Sequence, residues 1–186
     1  MDRDTELMVR FAEGDNQAFV QLVELHRKTA VSIAFRFLGD HTEAEDLAQE
    51  AFVRVYKARN TYGAQARFST WFYGILSNVC LNEARRRRRR PLWPLSRVIT
   101  ETTTADPEAS APESIYEREH TARVVCEAVQ ALPEKQRMAV ILQRFECLSY
   151  QDIAAVLGCS VGGVDGLLSR AKASLRGALA EHFAED

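Results

Sequence analysis

The sequence predicts an all-α protein of two small helical domains joined by a flexible linker, the second domain containing a helix-turn-helix. Three observations predict it. Apolar residues recur three and four apart through both halves of the chain, the spacing that gathers them on one face of a helix. No segment alternates apolar and polar residues between hairpin turns, as a half-buried strand would. Residues 91–113 collect Pro91, Pro94, Pro107 and Pro112 with Thr102, Thr103, Thr104 and Ser110, a composition that supports neither element. The linker therefore divides a first domain, residues 1–90, from a second, residues 114–186. Each is short enough to need close packing between its helices.

In the first half, helices are predicted at 3–12, 16–38, 42–57 and 69–88. The best apolar stretch, around Ala30 to Leu38, is broken by Arg36 and Gly39, far short of the roughly 20 residues that cross a bilayer. The helix at 42–57 opens on Thr42-Glu43-Ala44-Glu45, a capping-box pattern in which Thr42 accepts from the third amide and Glu45 reaches back. Its buried stripe is Ala44, Leu47, Ala48, Ala51, Phe52 and Val55, while Asp46, Gln49, Glu50, Val53 and Lys57 face outward. An acidic, amide-bearing face with an apolar centre suits a protein docking surface; a solvated face is the plainer alternative. Asp46 and Glu50 stand one turn apart, but no His or third carboxylate completes a metal site.

The helix at 69–88 follows Phe68-Ser69-Thr70-Trp71-Phe72-Tyr73 and runs into six arginines, Arg85 to Arg90. Phe68, Trp71, Phe72, Ile75, Leu76 and Val79 form its core stripe. The other side carries Thr70, Gly74, Asn78, Leu81 and Arg85, with Tyr73 at the margin as the aromatic expected to be exposed. Rings that stack on unpaired bases beside arginines that track phosphates are a usual means of holding single-stranded nucleic acid. Adjacent like charges repel one another and mark an interaction segment, with a solvated basic tail as the alternative. If all six arginines met phosphates, affinity would fall by roughly three decades between about 50 and 200 mM salt.

The net charge of −2 over 186 residues conceals a polarised chain. Residues 61–100 carry 8 basic groups and 1 acidic, whereas residues 101–120 carry 1 basic and 6 acidic. A near-neutral total thus says nothing against a polyanionic partner. Glu101, Asp106, Glu108, Glu113, Glu117 and Glu119 follow the arginines closely enough to fold back and screen them, or to form a disordered acidic spacer. Cys80, Cys126, Cys147 and Cys159 lie at wide spacings without a Cys-x-x-Cys pair, and the histidines are equally scattered, so neither a metal nor another cofactor is expected. Cys80 and Cys126 sit on or beside apolar stripes and are expected as small core residues in a reducing cytoplasm. The N-terminus lacks the basic-then-apolar layout of a signal peptide, which points to a cytoplasmic protein with no membrane span of its own. Glycine loops that cradle phosphate and nucleophiles beside a base are both missing, so enzymatic activity is not expected.

In the second half, helices are predicted at 114–130, 134–146, 150–157 and 161–180, with Pro133 opening the second. Ser149-Tyr150-Gln151-Asp152 reads as a cap, and Gly158 suits the left-handed residue that ends a helix. From Ser149 to Ala171 this is a helix-turn-helix layout: Ile153, Ala154 and Leu157 pack inward, Gly158-Cys159-Ser160 turns, and Val164, Leu168 and Ala171 hold the second helix. Gly162, Gly166, Ser169, Arg170 and Ala173 would point outward, flanked by Lys172 and Arg176 for phosphate contact. Glycines at 162, 163 and 166 cost about 1 kcal/mol each against Ala if helical, which suggests a frayed start or close approach to a partner. Such hairpins also occur in purely structural bundles.

Taken together, Asp46-Leu47-Ala48-Gln49-Glu50-Ala51-Phe52, the Phe68 to Tyr73 run with Asn78 and Asn82 before the arginines, Leu132-Pro133-Glu134-Lys135-Gln136-Arg137 and the Ser149 to Ala171 hairpin closely resemble an extracytoplasmic-function sigma factor. The match in order and spacing covers nearly the whole chain. It implies a bacterial initiation subunit that binds core RNA polymerase and directs it to promoters. The resemblance puts Asp46, Leu47, Gln49, Glu50 and Phe52 in the motif that docks on the polymerase clamp. It puts Ser69, Thr70, Trp71, Tyr73, Asn78 and Asn82 in the segment that captures bases of the melted −10 element, with Arg85, Arg86, Arg87 and Arg88 on nearby backbone. Flipped bases held in protein pockets would offset the few kcal/mol of unstacking per base. It puts Ser149, Tyr150, Ser160, Gly163, Val164, Ser169, Arg170 and Lys172 at or near duplex DNA of the −35 element. An anti-sigma protein is the further partner it implies.

The chain departs from the family at Asp165 and Leu167, where basic residues are frequent, and at Gly74, where a larger polar or basic side chain is usual. Weaker or more shape-dependent −35 binding, with more of the affinity resting on Arg85 to Arg90, is the expectation. Two other classes explain part of the chain. A dimeric helix-turn-helix repressor leaves the arginine helix unused, and an arginine-rich RNA-binding protein leaves the hairpin unused.

Overall fold

The computed structural model describes residues 2–63, 67–89 and 112–183, and every regular element among them is helical. In chain order these are α1 (Arg3–Ala12), α2 (Asn16–Leu38), α3 (His41–Lys57), a 3-10 turn over Arg59–Thr61, α4 (Phe68–Arg89), α5 (Pro112–Ala131), α6 (Glu134–Arg144), α7 (Tyr150–Leu157) and α8 (Val161–Phe183). The expected helices are all present, with ends displaced by three residues or fewer. Arg90 and the linker through residue 111 lie outside the described residues, as do the side chains of Glu113, Glu117 and Glu119, and so does the idea that acidic residues screen the arginines. Pro112 opens α5, so the last two positions assigned to the linker are helical.

Aspartates start the first three helices. Asp2 accepts from the Thr5 N–H at 2.8 Å, Asp15 from Gln17 at 2.9 Å and Ala18 at 3.2 Å, and Asp40 from Glu43 at 2.9 Å. The Asp40 cap corrects the capping box expected at Thr42. Gly39, at φ 78°, ends α2 in the left-handed conformation and Asp40 follows in extended conformation, so the chain re-enters helix before Thr42. Gly39 is also where the Gln130 side chain of α5 comes so close that a Cβ would collide with it.

The interior is aromatic around α4. Phe68 and Phe72 stack with centroids 5.7 Å apart, and Phe52 of α3 lies over Phe72 at 4.9 Å. The Thr5 hydroxyl, almost fully buried, joins α1 to the start of α4: its oxygen accepts from the Phe68 N–H at 3.4 Å and from the Tyr62 hydroxyl at 3.2 Å.

The sequence leads one to expect each half to form its own packed unit, yet a single hydrophobic cluster runs through both. Met138, Ile141, Leu142, Ile153 and Val164 belong to the same core as Phe37, Phe72 and Leu76. α4 makes this possible because it lies against α3 on one side and α7 on another, while α2 meets α5 and α6. Of the expected stripe it buries Phe68, Phe72, Leu76 and Val79, with Trp71 and Ile75 half-buried, and it also buries Tyr73, Ser77, Cys80 and Leu81, which repeat at positions i, i+4, i+7 and i+8.

The second half turns where the sequence indicates. Ser149 accepts from the Asp152 N–H at 3.1 Å to cap α7, and Gly158, at φ 61°, ends it. α7 and α8 meet at 98°, within the usual range for a helix-turn-helix. Pro133 sits one position earlier than expected, as the residue before α6 with extended ψ of 142°. The start of α8 is not frayed: the Ser160 hydroxyl accepts from the Gly163 N–H at 3.1 Å. Gly166 leaves room for the Arg170 guanidinium, whose Nη1 lies 3.3 Å from where a Cβ would be. Of the two cysteines expected in the core, Cys80 is buried and Cys126 is exposed on α5.

Candidate functional site

α3 presents the face that its periodicity demands. Asp46, Gln49, Glu50, Val53 and Lys57 are exposed, with Val53 at 50% in the centre. Leu47 and Phe52, placed with them by resemblance, are buried at 7% each, so they shape this surface from beneath instead of touching a partner. Their burial follows from the 3.6-residue repeat, which carries positions 44, 47, 48, 51, 52 and 55 to the core. Arg54 pairs with Glu50 at 2.5 Å.

A groove separates this face from α4. Asp46, Glu50 and Arg54 line one wall, and Asn82, Glu83 and Arg86 the other. Three residues of the expected docking set, Asp46, Leu47 and Glu50, and two of the expected −10 set, Asn82 and Arg86, therefore share one depression. Arg54 and Glu83 escape a reading of the sequence because their partners lie on the surface; the i,i+4 pair Glu50 and Arg54 and the i,i+3 pair Glu83 and Arg86 are the signals that could reveal them.

The arginine run is not uniform. Arg85, Arg86, Arg88 and Arg89 are exposed at the C-terminal end of α4, where the helix dipole favours cations. Arg85 donates to the Asn82 side chain at 2.9 Å, and Arg86 to Glu83 at 2.6 and 2.9 Å. Arg87 is the exception, half-buried between Glu83 on its own helix and Glu43 of α3. It joins α4 to α3, which corrects the picture of six equivalent phosphate contacts.

The N-terminal half of α4 holds the larger correction. Tyr73, expected as the exposed aromatic, is 8% exposed, and its hydroxyl donates to Glu146 Oε2 at 3.1 Å. Burial, followed by the charge of Glu146, raises its pKa well above the ordinary tyrosine value, so the phenol keeps its proton. Leu81 is covered as well, at 6%. Both lie on the side of α4 that meets the second half, a contact that no local pattern encodes. Ser69, Thr70 and Trp71 are half-buried, with Trp71 edge-on to Tyr62 at 5.1 Å, and Asn78 and Asn82 are exposed.

In the hairpin, Ser149, Tyr150, Ser160, Ser169, Arg170 and Lys172 are exposed and Gly163 is half-exposed. Val164 is fully buried in the core, so its side chain is unavailable to DNA. Its inward position is the one its spacing from Leu168 and Ala171 requires. Asp165 stands exposed on the same helix, a negative charge beside a surface expected to meet phosphate.

Comparison with known proteins gives these surfaces a context. Residues 22–90 match the family model for sigma-70 region 2, and residues 124–175 match the model for sigma-70 region 4. The RNA polymerase sigma-H factor of Pseudomonas aeruginosa is 36% identical over 184 residues, covering 96% of this chain and 94% of that protein. The ECF RNA polymerase sigma-E factor of Escherichia coli is 33% identical over 178 residues, 92% of each. The structure of CnrH in complex with the cytosolic domain of CnrY superposes with a TM-score of 0.72 at 27% identity, covering 97% of this chain and 99% of that one. The fold also recurs in the sigma factor RpoE of Bartonella quintana, solved with the anti-sigma factor NepR, at a TM-score of 0.67, 22% identity and coverage of 87% and 96%. With both region models in order along the chain and relatives matched almost end to end, this chain belongs to the extracytoplasmic-function family of RNA polymerase sigma factors.

Proposed function

We propose that this chain docks on core RNA polymerase through the exposed face of α3 and reads promoter DNA with α4 and the α7–α8 hairpin. Asp46, Gln49 and Glu50 supply the polar contacts to polymerase and Val53 the apolar centre. Asn78, Asn82, Arg85, Arg86 and Arg88, with Ser69, Thr70 and Trp71 at the other end of α4, take the melted −10 strand. Ser149, Tyr150, Ser160, Gly163, Ser169, Arg170 and Lys172 take the −35 duplex. Sigma factors regulate transcription and leave the chemistry to polymerase, so no cofactor is assigned.

The observation that carries this reading is the groove between α3 and α4, where Asp46 and Glu50 face Asn82 and Arg86. The groove itself is rich in carboxylates, so a strand following the exposed arginines of α4 along its rim would pass beside the polymerase to which α3 is docked. Exposed arginines at the end of α4 supply the backbone contacts that single strands need. Since CnrH was solved with the cytosolic domain of CnrY and the Bartonella RpoE with an anti-sigma factor, we assign this chain a protein inhibitor of the anti-sigma kind.

The test is capture of core polymerase by the tagged chain, followed by run-off transcription. A sigma factor retains polymerase and gives promoter-specific transcripts. Duplex binding without polymerase capture would indicate a repressor, and RNA binding alone an arginine-rich RNA-binding protein.

A further inference from the structure

The first turns of α8 carry one charged side chain that the proposed function leaves unused. Ser160, Val161, Gly162 and Asp165 are exposed there, while Val164 and Leu168 point into the core. With the inward face fixed by Val164, Leu168 and Ala171, the helical repeat sets Gly162, Asp165, Ser169 and Lys172 along one outward strip. Gly162 has open space where a Cβ would stand, so a neighbouring molecule meets bare backbone one turn ahead of Asp165. Neither capping nor ion pairing accounts for this carboxylate. The Ser160 hydroxyl already caps the Gly163 N–H at 3.1 Å, and Asp165 is the fifth residue of α8, past the four amides that lack helical partners. The favourable field of a helix start has faded at that distance. Among the described residues, Asp165 takes part in no hydrogen bond or ion pair.

DNA makes opposing demands on a carboxylate in this position. Phosphates repel it, and the exposed Lys172 and Arg176 are the groups on α8 that suit them. Base edges are different, and the leading turns of a recognition helix are the ones that face them. In the major groove cytosine offers its N4 amino group and adenine its N6 amino group, whereas guanine and thymine present only acceptors and a methyl group. The amino group of adenine adjoins the N7 acceptor, and an ionised carboxylate has acceptors only, so cytosine is the better match. An aspartate is short, and the glycines at 162 and 166 remove the side chains that would hold a base edge away from it.

We propose that Asp165 is a specificity-determining residue of the −35 contact: its carboxylate accepts from the N4 amino group of one cytosine in the major groove. The assignment rests on the sigma-factor reading above and deepens it at the α7–α8 hairpin. Selectivity is a difference between affinities, and an acceptor set against guanine O6 or thymine O4 penalises those bases as well as favouring cytosine. Asp165 therefore lowers affinity for duplex in general while it sharpens the choice of promoter.

Selection from random DNA tests it. Core polymerase assembled with the full chain is offered a duplex library randomised upstream of the start region, and the retained templates are sequenced. The parent chain should enrich cytosine about fivefold or more over the other bases at one position of an upstream block. Asp165→Ala should leave that position without preference while the rest of the block stays as it was. Asp165→Asn, equal in size but holding a donor beside its acceptor, should replace cytosine with adenine there, since an amide pairs with adenine N6 and N7. Both variants should melt with the parent, because the side chain is exposed. Cytosine retained at that position by either variant would overturn the assignment, as would a parent that favours another base where the variants differ from it. Uniformly stronger retention of every template by the Ala variant, with the block unchanged, would also overturn it, since Asp165 would then act as a repelling charge alone. Polymerase captured by the parent chain without any enriched upstream block would instead remove the −35 reading of the hairpin, and the cytosine contact with it.

Discussion

Arg137, in the Leu132 to Arg137 run shared with the family, offers a quantitative test of how the two halves are joined. Its guanidinium donates to the Phe37 carbonyl at the end of α2 at 2.6 Å, to the Leu132 carbonyl at 3.0 Å and to the Gln130 carbonyl near the end of α5, and it lies 5.1 Å from the Phe37 ring centre. The carbonyls at the ends of α2 and α5 have no acceptor duty within their own helices, and one planar cation meets them. Arg137→Met keeps the aliphatic stem and removes every donor. A hydrogen bond to a charged group contributes about 1.5–3 kcal/mol, and partial resolvation of helix-end carbonyls reduces the total, so we expect a loss of roughly 2–4 kcal/mol. At about 2–4 °C per kcal/mol for a chain of this size, the midpoint of thermal unfolding should fall by roughly 5–15 °C, read by circular dichroism at low protein concentration. Arg137→Lys should recover less than half, because one ammonium cannot reach all three carbonyls in plane. The difference should change little with salt, since the acceptors are neutral. A Met variant melting within about 1 °C of the parent would show that Arg137 does not join the two halves.

Other outcomes follow from single features. Burial pushes the Cys80 thiol up to about 12, so at about pH 8 a thiol reagent should modify Cys126 and Cys147 rapidly, Cys159 more slowly, and Cys80 only on unfolding. Gly158→Ala places a side chain at φ 61° and should cost about 1 kcal/mol, measured by urea denaturation. Glu50→Lys should reduce capture of core polymerase at least about tenfold with little change in thermal midpoint, because the carboxylate is exposed and its pairing with Arg54 lies at the surface. The Asp2 and Asp15 carboxyls are held below 3.8, Asp2 chiefly by the Thr5 amide and Asp15 chiefly by the Arg10 guanidinium. Their contribution is present above the unfolded value and is lost as pH falls through the folded one, so the protection of the Thr5, Gln17 and Ala18 amides against hydrogen exchange, relative to the intrinsic rate at each pH, should fall below about pH 4.

What is legible in the sequence is whatever local chemistry decides. Ser149 and Gly158 bracket α7 because a hydroxyl acceptor and a residue without a Cβ are needed at those places, and the exposed face of α3 follows from helical repeat alone. Asp40 does not stand out as a cap because Thr42 completes a better motif; the left-handed turn at Gly39, which settles the matter, depends on how tightly α3 follows α2. Tyr73 and Leu81 read as outward-facing because α4 already has one full apolar stripe, and a second has meaning only when another helix lies against it. Cys126 errs in the other direction: it sits beside apolar residues on α5 but is exposed. Arg87 shows the same limit, since its partner Glu43 lies 44 positions earlier in the chain.

The most direct measurement works without a known promoter. Core polymerase is reconstituted with the purified chain on fragmented bacterial genomic DNA, and the 5′ ends of the transcripts are sequenced. The expected result is a small set of discrete start sites, missing with core alone, that share one sequence about 10 and another about 35 bases upstream. A transcript profile identical to that of core polymerase alone would contradict it.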